Sequence, residues 1–132
     1  MEYSISMIWN DEEHIISVDN KAYHCPIDVG MHYIGGKWKA VAMWYLQDGP
    51  KRYSELRRLM SGITERMLAK QLQELEHDGL IVRHDYQEVP PRVDYTLTED
   101  GRKLLPALQA LSEWSFELSQ RRDTIVAVQR KA

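Results

Sequence analysis

Apolar positions change their period several times along this 132-residue chain. At the start they alternate as Tyr3, Ile5, Met7 and Trp9, followed by a polar "NDEE" and then "HIISV". A period of two predicts a strand, a turn and a second strand. A short helix is expected from Pro26 to about Tyr33, because proline suits the first helical position. After Gly35 and Gly36, residues Trp38, Val41, Ala42 and Tyr45 recur at helical spacing to about Gln47, where "DGPK" ends the run. "YSELRRLM" gives a compact helix with Leu56, Leu59 and Met60 inward. "SGIT" punctuates the chain again, and a longer helix follows from Glu65 to His77 with Thr64 as its N-cap. Its Leu68, Leu72 and Leu75 fall at i, i+4 and i+7, a single stripe. "HDGL" stops it. "LIVRHDY" and "RVDYTLT" are β-rich runs separated by "QEVPP", a hairpin with prolines at its tip or edge. A long helix then opens after Thr98, with Pro106 inside it as a potential kink.

From Gly36 to Leu97 the order is helix, helix, helix, hairpin. Two helices joined by a short Gly-containing turn form a helix-turn-helix, and the hairpin supplies a wing. The expected fold is therefore mainly α with a small β-hairpin wing. In such a unit the last helix enters the major groove of DNA. At about 100° per residue, Gln73, Arg66, His77 and Lys70 fall opposite the leucine stripe, with Glu74 at the edge of that face. Arg bonds bidentately to guanine, Gln does the same to adenine, and Lys meets guanine or phosphate. Thr64 and the helix N-terminus can contact phosphate. Arg83 and Arg92 flank the hairpin tip. Lys51, Arg52, Ser54, Arg57 and Arg58 lie in or beside "KRYSELRR", near the same surface, although not all of them can face DNA. A Lys-, Arg- and Gln-rich face is also how ordinary surface helices stay soluble.

Three segments organise the chain: an acidic N-terminal extension over 1–24, a DNA-binding unit over 25–97, and a helix with tail over 98–132. Leu104, Leu108, Leu111, Trp114 and Leu118 form an apolar stripe on that last helix, more than the winged unit needs. A surplus apolar stripe points to a partner, and two recognition helices on a two-fold site point to a homodimer on an inverted repeat of double-stranded DNA. The alternative is that the helix folds back on its own chain.

Net charge is −3, which does not at first suggest nucleic acid. Residues 1–24 account for it, holding five acidic residues against Lys21, whereas residues 51–92 hold eight Lys/Arg and seven Asp/Glu. No apolar run approaches the roughly 20 residues that span a bilayer, and no export leader is recognisable, so the expected place is the cytoplasm, at the nucleoid. Five histidines match no common zinc spacing, and neither metal nor cofactor is expected. Trp38, Trp44, Tyr45 and Trp114 could line a small-molecule pocket between the DNA-reading unit and the dimer helices, though aromatics at this spacing more often fill a core. No nucleophile elbow, phosphate loop or dinucleotide fingerprint is present, so no enzyme is expected. A winged helix used for protein contact is the other reading.

"CPIDVGMHYIGGKWK", "YSELRRLMSGITERMLAKQLQELEHDGLIVR" and "VPPRVDYTLTEDGRKL" resemble the signature blocks of HxlR-type winged-helix transcriptional regulators of bacteria, in the MarR-like superfamily. The resemblance spans about residues 25–119 and implies a homodimeric, cytoplasmic, non-catalytic DNA-binding regulator, by family habit a repressor. The family usually carries Glu where this chain has Asp94, and residues 1–22 extend beyond its usual start. Some members sense electrophiles or oxidants through a cysteine before proline, which here is Cys25. As the sole cysteine it cannot form an internal disulfide. At the N-cap of a helix opened by Pro26, it stands where the positive end of the dipole favours an anion. An unreactive packing role is the alternative.

Overall fold

The computed structural model describes residues 6–127. Tyr3 and Ile5 of the expected first strand, and residues 128–132 of the expected tail, lie outside the described residues. β1 (Met7–Trp9) pairs with β2 (Glu12–His14), and β3 (Ile16–Val18) pairs with β4 (Lys21–Tyr23), both antiparallel. The one strand–turn–strand expected here is thus two successive hairpins. Asn10, Asp11, Asp19 and Asn20 all have positive φ, from 50° to 64°. Asn and Asp tolerate that region best among residues with a side chain, and a pair of them makes a tight two-residue hairpin turn. "VDNK" therefore turns the chain as "WNDE" does.

α1 (Pro26–Ile34) starts as its sequence predicts, with Cys25 at the N-cap in extended conformation. α2 (Trp38–Tyr45), α3 (Tyr53–Leu59) and α4 (Glu65–His77) follow, then β6 (Ile81–Asp85) and β7 (Val93–Leu97). Before α3, Lys51 and Arg52 form a two-residue strand, β5, that the periodicity did not announce. It lies against β7, Lys51 opposite Tyr95 and Arg52 opposite Asp94, so the wing is a three-stranded sheet in the order β5-β7-β6.

Both ends of α4 are fixed by its own sequence. Met67 N–H donates to Thr64 Oγ1 at 3.1 Å. At the other end Leu80 N–H reaches Leu75 O at 2.9 Å and Gly79 N–H reaches Glu76 O at 3.0 Å. This pairing requires a left-handed residue, and Gly79 supplies it at φ 73°. One core joins the helices to the wing: Ala42, Met43 and Leu46, Leu56 and Met60, Leu68, Leu72 and Leu75, then Ile81, Tyr95, Leu97 and Leu108.

The chain breaks at Leu104 where a single long helix was expected, giving α5 (Glu99–Lys103) and α6 (Leu105–Arg121). Pro106 sits in the first turn of α6, where a missing N–H leaves no hydrogen bond unmade, so it opens a helix rather than kinking one. α5 packs tightly: Gly101 is buried, and a Cβ placed on it would stand 2.2 Å from Leu80 O. Gly101→Ala is expected to destabilise the fold by about 1–3 kcal/mol. Helix propensity alone predicts the opposite sign, a gain of about 1 kcal/mol. The urea midpoint distinguishes the two, and a rise would show that the Leu80 backbone yields.

Candidate nucleic-acid interface

α4 presents two chemically distinct faces. Leu68, Leu72 and Leu75 are each at most 1% exposed, whereas Arg66, Lys70, Gln73 and His77 are all exposed. Those four side chains make no hydrogen bond or ion pair among the described residues, which leaves their polar groups open to a partner. Glu74, at the edge of the face, is engaged by Lys39 of α2 at 2.8 Å. That hydrogen bond holds the Glu74 carboxyl below the usual carboxylate range, against a smaller opposing effect of burial. Gln73 and His77 also border a cleft of about 400 Å³ shared with His32, Lys39 and Asp78.

The start of α4 is tied to α3. Tyr53 Oη donates to Glu65 O at 2.9 Å, and Arg57 pairs with the Glu65 carboxylate. Burial, reinforced by the Glu65 charge, raises the Tyr53 hydroxyl above its ordinary value, so it stays a donor. Arg57 is thereby committed within the protein. Ser54 and Arg58 are exposed on α3.

Alternation separates the wing cations. Residues opposite one another in an antiparallel pair share a face. Arg83 lies opposite Tyr95, on the side of the sheet that carries the core. Arg92, Asp94 and Thr96 lie on the other side, with Arg52 from β5 and His84 from β6 beside them. Arg92 Nη2 donates to Asp94 Oδ2 at 3.2 Å, and Arg52 Nε lies 4.0 Å from Asp94 Oδ1. The hydrogen bond it donates to Asp94 raises the Arg92 guanidinium further above its already high value. Lys51 is different: it is largely covered and donates to Asp48 at 2.8 Å, which lowers the Asp48 carboxyl. The structure therefore gathers Thr64, Arg66, Lys70, Gln73 and His77 on α4 and brings Arg52 to Arg92. It sets Lys51 and Arg83 apart from both groups.

Elsewhere the expected groupings divide. Cys25 is half-buried and makes no capping hydrogen bond, while His24 N–H donates to Asp28 Oδ2 at 3.0 Å. His32 Nδ1 is 2.6 Å from Tyr23 Oη, and His32 Nε2 is 3.6 Å from Asp19, which fastens the second hairpin to α1. Trp44 and Tyr45 line a groove of about 360 Å³ with Val41, Leu108 and Leu111, and Trp38 and Trp114 do not border it. The stripe on α6 splits as well. Leu108 is 6% exposed and belongs to the core, and Leu104 packs against that core. Leu111 and Trp114 stand 54% and 57% exposed, and Leu118 is half-buried. The stripe divides because the first turns of α6 lie on α2 and the later turns run past it. Phe116, 57% exposed, adds to the open end and was not singled out from the sequence. Asp94 was noted only as a departure from the usual Glu. The alternation in "RVDYTLT", with Arg92 and Asp94 two residues apart on one face, is the signal that could have placed it in a charge cluster.

The HxlR-like helix-turn-helix family matches residues 33–123. The HTH-type transcriptional regulator YdeP of Bacillus subtilis (strain 168) is 44% identical over 106 residues, covering 80% of this chain and 83% of its own. An HTH-type transcriptional regulator of Methanothermobacter thermautotrophicus is 51% identical over 92 residues, 70% of each chain. Among solved structures, the redox regulator HypR in its reduced form gives a TM-score of 0.71 at 42% identity, over 76% of this chain and 99% of that one. Its oxidised form gives 0.68 at 46% identity, over 70% and 96%. With the family match covering most of the chain and a winged helix-turn-helix fold beneath it, the protein belongs to the HxlR-like family of helix-turn-helix transcriptional regulators.

Proposed function

We propose that this protein is a homodimeric repressor whose two α4 helices enter successive major grooves of an inverted repeat. The supporting observation is the division of α4 itself. Its leucines are locked into the core while Arg66, Lys70, Gln73 and His77 stand exposed, with no hydrogen bond or ion pair among the described residues. Gln73 and Arg66 suit base edges, Lys70 suits guanine or phosphate, and Thr64 at the N-cap suits phosphate. Arg66→Ala with Lys70→Ala is expected to weaken binding to an operator selected in vitro from a random duplex library by at least about tenfold. Wild-type affinity should fall steeply with salt as counterions are released. A flat salt response, or an unaffected double variant, would favour protein contact over DNA reading.

The second subunit is supported by the open end of α6, where Leu111 and Trp114, three residues apart and so on one side of the helix, are both more than half exposed. A patch of that kind, next to a groove between α2 and α6, suits an isologous two-fold contact. The wild type is expected to sediment at twice the chain mass, and Leu111→Glu with Trp114→Glu is expected to sediment as a monomer. A wild-type monomer at micromolar concentration would overturn the dimer.

Cys25 is the candidate input. It is the only cysteine, it occupies the N-cap position of α1, and it is half-buried rather than sealed in. It precedes the residues matched by the family, so its support comes from its own position and from the likeness to HypR, a redox regulator solved in both redox forms. Oxidation of Cys25 in each subunit would alter the start of α1 and the relation between the two halves. Diamide is expected to change the operator affinity of the wild type and to leave Cys25→Ser unchanged. An equal response, or none in either, removes Cys25 as the input.

A further inference from the structure

Asp94 is the only charged side chain buried among the described residues, at 4% exposure. It is nevertheless on the outward side of the wing, opposite the face that carries Tyr95 and Leu97. Its cover consists of other side chains. Arg92 comes from two residues earlier on the same face, and Arg52 comes from the neighbouring strand. The Arg92 guanidinium also lies over the Tyr86 ring, 4.1 Å from its centroid, where the π-face fixes its plane. Arg92 Nε is buried without a hydrogen-bond partner. The Asp94 carboxylate on one side and the Tyr86 ring on the other hold this guanidinium in place.

Stability is a poor reason for such a cluster. A carboxylate withdrawn from water loses several kcal/mol of solvation, and pairing roughly offsets that loss without much surplus. What the cluster does supply is geometry. Each guanidinium carries five N–H donors in a plane, and Asp94 occupies only part of them. The Arg52 and Arg92 side chains remain 56% and 39% exposed, against 6% for Asp94. Arg92 is thus fixed with donors still open, and Arg52 stands beside the same carboxylate at ion-pair distance. Arg52 is also one residue along the chain from Tyr53, which holds the start of α4.

We propose that Asp94 is a positioning residue for DNA: it holds Arg52 and Arg92 as a preformed clamp for phosphate oxygens of the duplex backbone. The proposal rests on the DNA-binding reading above. It carries a sign that simple electrostatics does not share. Asp94→Asn makes the protein more positive by one charge, and bulk attraction to DNA would then tighten binding. Loss of the clamp weakens it instead.

The test uses the full chain, a labelled mixed-sequence 30-base-pair duplex and anisotropy titrations from about 50 to 200 mM salt, because phosphate contacts need no operator. Asp94→Asn is expected to bind about 3–10-fold more weakly, with a log–log salt slope shallower by about one to two. Asp94→Glu should recover part of the loss. In an Arg52→Ala/Arg92→Ala background, Asp94→Asn should have no further effect, a coupling that a merely structural role would not produce. Circular dichroism confirms that each variant is folded at the titration temperature. Should Asp94→Asn not fold, Arg52→Ala/Arg92→Ala and Asp94→Glu carry the test, and an unchanged affinity in the arginine double variant overturns the clamp. Equal or tighter binding by Asp94→Asn overturns it too, as does a loss that adds in full to that of the arginine double variant. If those results appear while Arg66→Ala/Lys70→Ala still weakens operator binding, the DNA reading stands and only the clamp falls. A wild type without salt-dependent duplex binding overturns both.

Discussion

Burial of Leu68, Leu72 and Leu75 orients everything that acts outside the core. Each such leucine contributes about 1.5–3 kcal/mol when taken fully from water, while an exposed ion pair contributes at most about 1 kcal/mol. The rotation of α4 about its axis is therefore decided by the apolar stripe, and the charged residues have no vote in it. Because helical geometry is fixed, Arg66, Lys70, Gln73 and His77 must then face outward together. Thr64 at one end and Gly79 at the other fix where α4 starts and stops, so its outward face has a defined length as well as a defined direction.

The two cationic surfaces are prepared in opposite ways. On α4 the outward side chains of Arg66, Lys70, Gln73 and His77 make no hydrogen bond or ion pair among the described residues, which suits groups that must adapt to base edges. On the wing Arg92 is stacked on Tyr86 and bonded to Asp94, which suits groups meeting a repetitive backbone. Rotamer freedom costs up to about 2 kcal/mol when an arginine is immobilised on binding. On the wing that ordering has already occurred during folding. The difference follows from the secondary structure beneath each surface. A helix spreads its outward residues along a stripe, whereas a sheet brings side chains from adjacent strands within reach of a single carboxylate.

Legibility from sequence followed the strength of local signals. α4 was readable to the residue because three independent cues coincide: a period of 3.6, a Thr N-cap and a terminal Gly. The wing hairpin was readable from β-rich runs around a proline-containing turn. β5 was not, since two residues carry no periodicity, and its pairing with β7 depends on a contact across more than forty positions. Pro106 is ambiguous in principle: the same residue kinks one helix or opens the next, and the decision lies in how Gly101 lets α5 approach Leu80. Along α6 the apolar stripe was visible, but which of its members belong to the core depends on how far α2 extends beneath it. Asp94 was hidden because a lone acid in a strand reads as an exposed residue until the register places arginines over it.

α2 connects these parts mechanically. One side of it meets α4, through core contacts and the Lys39–Glu74 pair, and another side forms the groove against Leu108 and Leu111 of α6. Met43 and Leu46, at its C-terminal end, are completely buried, so α2 has little freedom to slide between its neighbours. In a two-fold assembly joined along α6, the separation of the recognition helices would be set by this packing and by the crossing at α6. Half-sites one helical turn apart, about 34 Å, demand that such a separation be held closely. A close-packed helix between the joining surface and the reading surface meets that demand, whereas a flexible linker would not. It also means that an input at α1 or α6 must move packed elements to alter DNA binding, and a packed core tends to switch between arrangements rather than yield gradually.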